Sequence, residues 1–355
     1  MGFNLKIADE DDALLWDKIV TSSPQGTLFH TWKWLKIVQK HSKATFYPVI
    51  VFNGTVPIGI CPLFSQKVLG FSCVFSPPPA TAIPYLGPVI ADFDSYKQSK
   101  QVSVFKGFLQ VVNNFIFSEL KSKYTTILLG PSVDPRLYLW SGYKLEPLFD
   151  YCIDLSKGCD TIWKDFDKDA RDHIKKAEQL IAQDPDAITV TDGTREDVSA
   201  LYDALVKRYG EQKRKITDSK EYLLDIYDEF YPDHIKIFIV RSKGLLINGI
   251  ITIVYNNTIS FWIGALKPVN KDIPSNEINH WEAIQWACKN NFSLFEEYGA
   301  GTERLARSKS KYNPQLRMRF KTVKYSSAVY AWGAEGYTAF IRDTLGTIFS
   351  KKIDE

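Results

Sequence analysis

Two distant stretches of the chain carry one pattern, and that repetition restricts the folds open to it. Tyr47–Phe52 reads as a strand, Asn53-Gly54 as a turn signal and Val56–Phe64 as the returning strand. Ile235–Val240, Ser242–Gly244 and Leu246–Tyr255 repeat that order. With Gly59 set on Gly249, Pro57–Phe64 lies on Ile247–Val254, so each returning strand has a glycine near its start. The sequel also matches. Val102–Leu120 puts Phe105, Phe108, Leu109, Val112, Phe115 and Ile116 at helical spacing, and strand Thr126–Leu129 follows, ending at Gly130. Asn276–Asn290 does the same with Ile278, Trp281, Ile284 and Cys288, before strand-like Leu294–Tyr298 and Gly299. Each half closes on a last strand, near Phe149–Leu155 and Phe320–Ala331.

Helices precede each hairpin: Asp11–Val20 and His30–His41 in the first half, and segments near Asp160–Ala182, Glu196–Tyr209 and Lys220–Phe230 in the second. The expected architecture is α+β, in two tandem halves, each a mostly antiparallel sheet flanked by helices. The boundary falls near Leu155–Cys159. It gives an N-terminal domain over 1–155, a C-terminal domain over 156–334 and a closing helix over 335–355, with Phe340, Ile341, Leu345, Ile348 and Phe349 on one face.

A length of 355 residues suits two domains, and 45% apolar residues exclude a disordered chain. A net charge of +3 is too small to show a general polyanion binder and leaves room for a local basic patch. The five cysteines (Cys61, Cys73, Cys152, Cys159, Cys288) contain no CxxC pair and read as buried thiols of a cytosolic protein. The five histidines are scattered, with no metal-ligand spacing, and read as surface or helix residues. No secretory leader is expected. The weakly polar run Val74–Ala91 holds five prolines and cannot be a membrane helix, so the expectation is a soluble, cytoplasmic protein. GxSxG, HExxH, GxxxxGK[ST] and a strand-following GxGxxG are all missing.

Three features remain. After Glu303 runs a basic, acid-free stretch: Arg304, Arg307, Lys309, Lys311, Arg317, Arg319, Lys321 and Lys324, preceded by Gly299–Gly301. A cation- and glycine-rich loop beside a strand end suits an anionic ligand. Lys207-Arg208-Tyr209-Gly210 ends a helix, where cations complement the dipole or clamp a phosphate. Phe29–Lys36 mixes aromatics and cations on one helix; core packing accounts for its tryptophans, and Lys36 is left for a cleft.

The tandem halves resemble the GNAT (acyl-CoA N-acyltransferase) fold twice over, in the arrangement of the FemAB-like peptidyltransferases. The likeness rests on Ile153-Asp154-Leu155, Ile162-Trp163-Lys164, Arg171 with Ile174–Ala177, and Tyr202 through Arg208-Tyr209. It continues through Trp262–Ala265, Trp281–Ile284 and Ser308–Asn313. The resemblance implies aminoacyl transfer from aminoacyl-tRNA to an amine on a cell-envelope precursor. It implies phosphate-binding roles for Lys36 and Arg208, and a lysine near the reacting ester at Lys309, with Lys311 the alternative. Tyr209, Trp262, Arg304, Tyr312 and Asn313 join the expected substrate contacts. The family's coiled-coil arm is absent, because Glu196–Phe230 is too short to hold one. The connection Leu266–Ile278 lacks the glycines of a CoA loop, which favours a donor other than CoA.

The expected chemistry is direct attack of an amine on the donor carbonyl, with Lys309 or backbone N–H groups facing the oxyanion. The candidate bases are Glu282, Glu296 and Glu277, or the donor itself, with Glu282 carried as the catalytic one. No metal is called for. Two other readings stay open: acyl-CoA-dependent N-acylation of an amino sugar or polyamine, and a non-catalytic module that binds RNA or an envelope precursor.

Overall fold

The computed structural model describes residues 2–213, 216–266, 270 and 272–331. The closing helix expected over 335–355 lies outside them. The strands are β1 (Phe3–Ile7), β2 (Thr45–Asn53), β3 (Val56–Val68), β4 (Phe71–Ser76), β5 (Val89–Ile90), β6 (Tyr124–Leu129) and β7 (Lys144–Asp154). They continue with β8 (Thr189–Asp192), β9 (Ile235–Ser242), β10 (Leu245–Tyr255), β11 (Thr258–Gly264), β12 (Leu294–Glu297) and β13 (Gln315–Tyr325). The helices are α1 (Ala13–Thr21), α2 (Trp32–His41), α3 (Gln98–Asn114), α4 (Arg136–Trp140), α5 (Cys159–Asp165), α6 (Lys168–Gln183), α7 (Arg195–Glu211), α8 (Lys220–Phe230), α9 (Ser275–Lys289) and α10 (Glu303–Ser310).

Both repeated hairpins form. β2 pairs antiparallel with β3, and β9 with β10. Each returning strand carries a bulge just ahead of its aligned glycine: Ile58 is the extra residue before Gly59, and Ile247 stands two before Gly249. Gly59 is required by crowding, since a Cβ there would lie 2.4 Å from the Val89 carbonyl oxygen.

All strands join one sheet, in the order β1-β2-β3-β4-β6-β13-β7-β12-β11-β10-β9-β8, with β5 on β3. The order shows an exchange. β13, from the second half, lies between β6 and β7 of the first. β7, from the first half, lies between β13 and β12 of the second. The parallel pairs are β4 with β6 and β11 with β12, one in each half.

Three apolar cores hold the layers. α3 and α4 cover the first half through Phe105, Phe108, Leu137 and Tyr138. α5, α6 and α9 cover the second through Ile162, Ile174, Trp281 and Ile284. The third core is shared: Trp16, Trp34 and Leu35 of α1 and α2 pack with Leu201 of α7, Tyr222 of α8 and Ile251 of β10. Polar contacts cross the same seam. The Tyr222 hydroxyl donates to the Thr81 carbonyl at 2.9 Å, and Asp225 meets Lys40 at 2.6 Å and His41 at 2.5 Å.

Some expected bounds move. The segment near Asp160–Ala182 is two helices, parted at Phe166-Asp167, where Arg171 donates to the freed carbonyls of Lys164 and Phe166. The last strand runs Gln315–Tyr325 instead of Phe320–Ala331, and a helical turn begins after it. The basic stretch is therefore not a loop: its first part is α10 and its second part is β13. Cys61, Cys73 and Cys152 are buried as expected, but Cys159 and Cys288 are only half-buried. His30 and His280 are buried; His280 is a helix residue, as read, while His30 lies in a short helical turn ahead of α2. No helix among the described residues is long and apolar enough to cross a membrane.

Because both halves share one core, unfolding followed by tryptophan fluorescence and by far-ultraviolet circular dichroism should show one coincident transition. Leu201→Ala, at a fully buried position of that core, should lower the unfolding free energy by about 2–5 kcal/mol.

Candidate active site

The pairing of β11 with β12 ends at Phe261 and Glu297. Beyond it β11 runs on to Gly264, while β12 turns away through Tyr298 and Gly299. Gly264 has a φ of +143°, and a Cβ there would lie 2.3 Å from the Gly249 carbonyl oxygen, so the turn needs glycine. The buried Asn248 fixes the same corner. Its Oδ1 accepts from Leu266 N and Gly249 N, both at 2.9 Å, and its Nδ2 donates to Ser275 O at 3.0 Å and Asn276 Oδ1 at 2.8 Å. One side chain thus ties the end of β11 to the start of α9. Between the parted strands opens a cavity of about 820 Å³, walled by α7, α9 and α10 and by Ala82–Pro84 of the first half.

Among the described residues its charged lining comprises five cations (Arg208, Arg304, Lys309, Lys311, Arg319) and three acids (Asp218, Glu277, Glu297). Two cations are spoken for. Lys311 Nζ donates to Glu277 Oε1 at 2.5 Å. Arg319 Nε donates to Asp150 Oδ2 at 2.5 Å and its Nη1 to Pro84 O at 2.7 Å. Asp150 in turn accepts from Gly299 N at 2.6 Å.

The other three have no carboxylate partner among the described residues. Lys309 Nζ donates to the carbonyls of Tyr298 at 2.5 Å and Gly299 at 3.3 Å. Arg208 donates through Nη1 to Ala265 O, while its Nε is buried without a partner. Burial lowers the Arg208 pKa, and the like charge of Arg304 adds to it. A half-buried guanidinium short of a counter-charge suits an anion.

At the floor lies Glu297, 1% exposed. Its Oε1 is 3.5 Å from His280 Nδ1, and its Oε2 has no hydrogen-bond partner. Burial raises its pKa to about 7, although the cations Lys309 and Lys311 pull the other way. Burial, then Lys311 and Lys309, push His280 down to about 3, so the imidazole is neutral at pH 7. His280 stacks on Tyr312 at 4.0 Å. Tyr312 meets Phe166 at 5.2 Å, which meets Trp281 at 5.3 Å, which meets Trp163 at 5.0 Å. These rings pin α5 and α9 beside the lysine-bearing turn. A carboxyl with a pKa near 7, close to an ammonium and two guanidiniums that lack carboxylate partners among the described residues, can move a proton and steady a developing negative charge.

The Acetyltransferase (GNAT) domain family matches residues 168–307. No curated protein matches the sequence. Among solved structures, FemX superimposes with a TM-score of 0.66 at 13% identity, over 89% of this chain and 96% of that one. A tandem GNAT protein from the clavulanic acid biosynthesis pathway gives 0.54 at 7% identity, over 92% and 98%. L-PGS from Bacillus licheniformis gives 0.53 at 14% identity, over 89% and 93%. The chain has the FemAB-like tandem GNAT fold.

Within this GNAT frame the expected residues divide. Lys309, Lys311, Arg208, Tyr209, Trp262, Arg304 and Tyr312 all line the large cavity. Trp262 is held by donation from Nε1 to Ala82 O at 2.7 Å. Lys36 is not brought there: it pairs with Glu10 at 2.9 Å and lies 5.9 Å from the Trp32 ring. Asn313 lines a separate recess beside Cys152 and Gln315. Glu282 is outside the large cavity too; burial first, then the charge of Glu178, raises its pKa. Glu277 reaches the cavity but is engaged by Lys311, and Glu296 lines a different cavity. Glu297 and His280 line the large cavity too and are not among the expected site residues. The available signal was the alternation of β12, which sets Glu297 on the same face as the buried Phe295.

The raised pKa of Glu297 has a thermodynamic signature. Its folded pKa exceeds the ordinary carboxylate value, so the folded state holds the proton more tightly. That contribution is full below the unfolded pKa and is lost as pH rises through about 7. His280, depressed to about 3, works in the opposite sense between pH 6.5 and 3. Glu297→Gln isolates the carboxyl: relative to wild type, the variant should gain stability between pH 5 and pH 8 in urea unfolding. A constant difference across that range would show that Glu297 titrates normally.

Proposed function

We propose that the chain is an acyltransferase that forms an amide on a substrate amine, using the large cavity of the second half. The observation that carries this is the joint presence there of the buried Glu297 and of Lys309, Arg208 and Arg304, none of which has a carboxylate partner among the described residues. The GNAT acyltransferase-type fold supports the same class of reaction. In this reading the division of the chain lies at 155/156, and the first half contributes the wall Ala82–Pro84.

Arg208 and Arg304 hold the phosphate of a substrate, and binding both reactants in one cavity supplies a large effective molarity. Glu297 takes a proton from the incoming ammonium. The amine nitrogen then bonds to the acyl carbon, and Lys309 faces the oxyanion. As the bond from acyl carbon to leaving oxygen breaks, the nitrogen sheds its second proton, which ends on the departing oxygen, and Glu297 returns the first to solvent. The FemAB-like resemblance supports an aminoacyl-tRNA donor and an envelope-precursor amine as acceptor. The absence of glycine from Leu266–Ile278 supports a donor other than CoA.

Binding of labelled aminoacyl-tRNA to the purified chain, with acyl-CoA as competitor, tests the donor. Charged tRNA should bind, in preference to uncharged tRNA, and resist CoA. Binding of CoA but not tRNA would overturn the donor and leave CoA-dependent N-acylation. With turnover in hand, Lys309→Ala should lower kcat about 10²-fold with little change in KM. Arg208→Ala should act mainly on KM. Wild-type kcat/KM should rise with pH through about 7, and Glu297→Gln should lose that limb. Unchanged turnover in Lys309→Ala would remove that residue from the mechanism.

A further inference from the structure

The parallel pair of the first half parts as its counterpart does. β4 and β6 stay paired as far as Ser76 and Ile127. A second cavity, of about 220 Å³, opens beyond them. Its walls are Tyr85 and Leu86 after β4, Gly130–Val133 after β6, and the α1–α2 connection from Pro24 to His30. The second half closes it with Tyr255 and Thr258 around the β10–β11 turn and with Glu296 of β12.

Its electrostatics differ from those of the large cavity. Among the described residues, the charged side chains in its lining are Glu296 and Arg317. Arg317 Nη1 donates to Glu296 Oε1 at 2.5 Å, and the Arg317 side chain is 32% exposed. Glu296 Oε2 accepts from Ser260 Oγ at 3.0 Å and from the Tyr298 hydroxyl at 2.9 Å. The guanidinium has five N–H donors, and this pairing uses one. His30 carries no charge at pH 7, because burial holds its pKa near 3. The buried Gln25 and His30 also line the cavity, and Nε2 of each lacks a hydrogen-bond partner. Phe29, Tyr85, Tyr255 and Tyr298 supply apolar ring surface.

A lining with one positive and one negative group, net zero, disfavours a phosphate and matches a ligand that carries both charges. The volume lies below the roughly 300–1,000 Å³ of pockets for drug-sized ligands, so the occupant is small. We propose that this cavity is a second ligand site, which takes a free α-amino acid with its carboxylate toward Arg317 and its ammonium toward Glu296 and the rings. The assignment stands apart from the acyl-transfer reading. It also has a route to it: the Tyr298 hydroxyl donates to Glu296 in the small cavity, while the Tyr298 carbonyl accepts from Lys309 in the large one.

Calorimetric titration of the full chain with each of the common amino acids tests the site. At least one should bind with one-to-one stoichiometry. Arg317→Met should weaken that binding by about tenfold or more. Ser132→Trp, at an exposed lining position, should weaken it by filling the cavity without touching the ion pair. Arg208→Ala, in the large cavity, should leave it unchanged. Melting curves establish that each variant is folded. Absence of binding by every amino acid overturns the proposal. So does wild-type affinity in folded Arg317→Met or Ser132→Trp, and so does loss confined to Arg208→Ala.

Discussion

The exchange of β7 and β13 is the constraint on which the rest of the molecule depends. Each half supplies a strand that the other needs: β13 covers the open edge of β6, and β7 covers that of β12. Unpaired, those edges would present rows of free backbone N–H and C=O groups. The exchange also carries chemistry. Asp150 lies on β7 and Arg319 on β13, and their ion pair is almost buried. From there Asp150 reaches Gly299 N and Arg319 reaches Pro84 O, so the paired strands set both the turn after β12 and the first-half wall of the large cavity.

Upon that frame, electrostatics sorts a crowd of cations. Five line the large cavity among the described residues, and ion pairs neutralise Lys311 and Arg319. Burial pushes Glu297 and Asp218 toward their neutral forms, which leaves Lys309, Arg208 and Arg304 without compensation. A positive field in a half-enclosed cavity is stronger than the same charges on an open surface. The small cavity shows the opposite solution, with its one cation and one anion joined to each other.

Much of the fold was legible in the sequence because its signals are local. The turn residues, the glycine after each bulge and the helical spacing of Phe105 to Ile116 or Ile278 to Ile284 each report on their own neighbourhood. The exchange was not legible, because edge pairing between strands of different halves leaves no mark on either segment. The site was legible in part for the same reason. Arg208 and Lys309 sit in short motifs, but the choice between Lys309 and Lys311 depends on Glu277, 34 positions away. Glu296 and Glu297 are neighbours in sequence, yet the pleat sends one to each cavity. His280 read as an ordinary helix residue, since nothing in α9 reveals that Glu297 and Tyr312 will pack against it.

Burial raises the Glu297 pKa and Lys309 opposes it, and the titration of Glu297 itself reports that balance. Carbon-13 NMR of glutamate-labelled protein, with Glu297→Gln to assign the signal, follows that carboxyl through pH. The account predicts titration near pH 7, and an upward shift in Lys309→Ala, where a cation that favours the carboxylate is gone. Titration in the ordinary carboxylate range, or a midpoint that ignores the loss of Lys309, would contradict it.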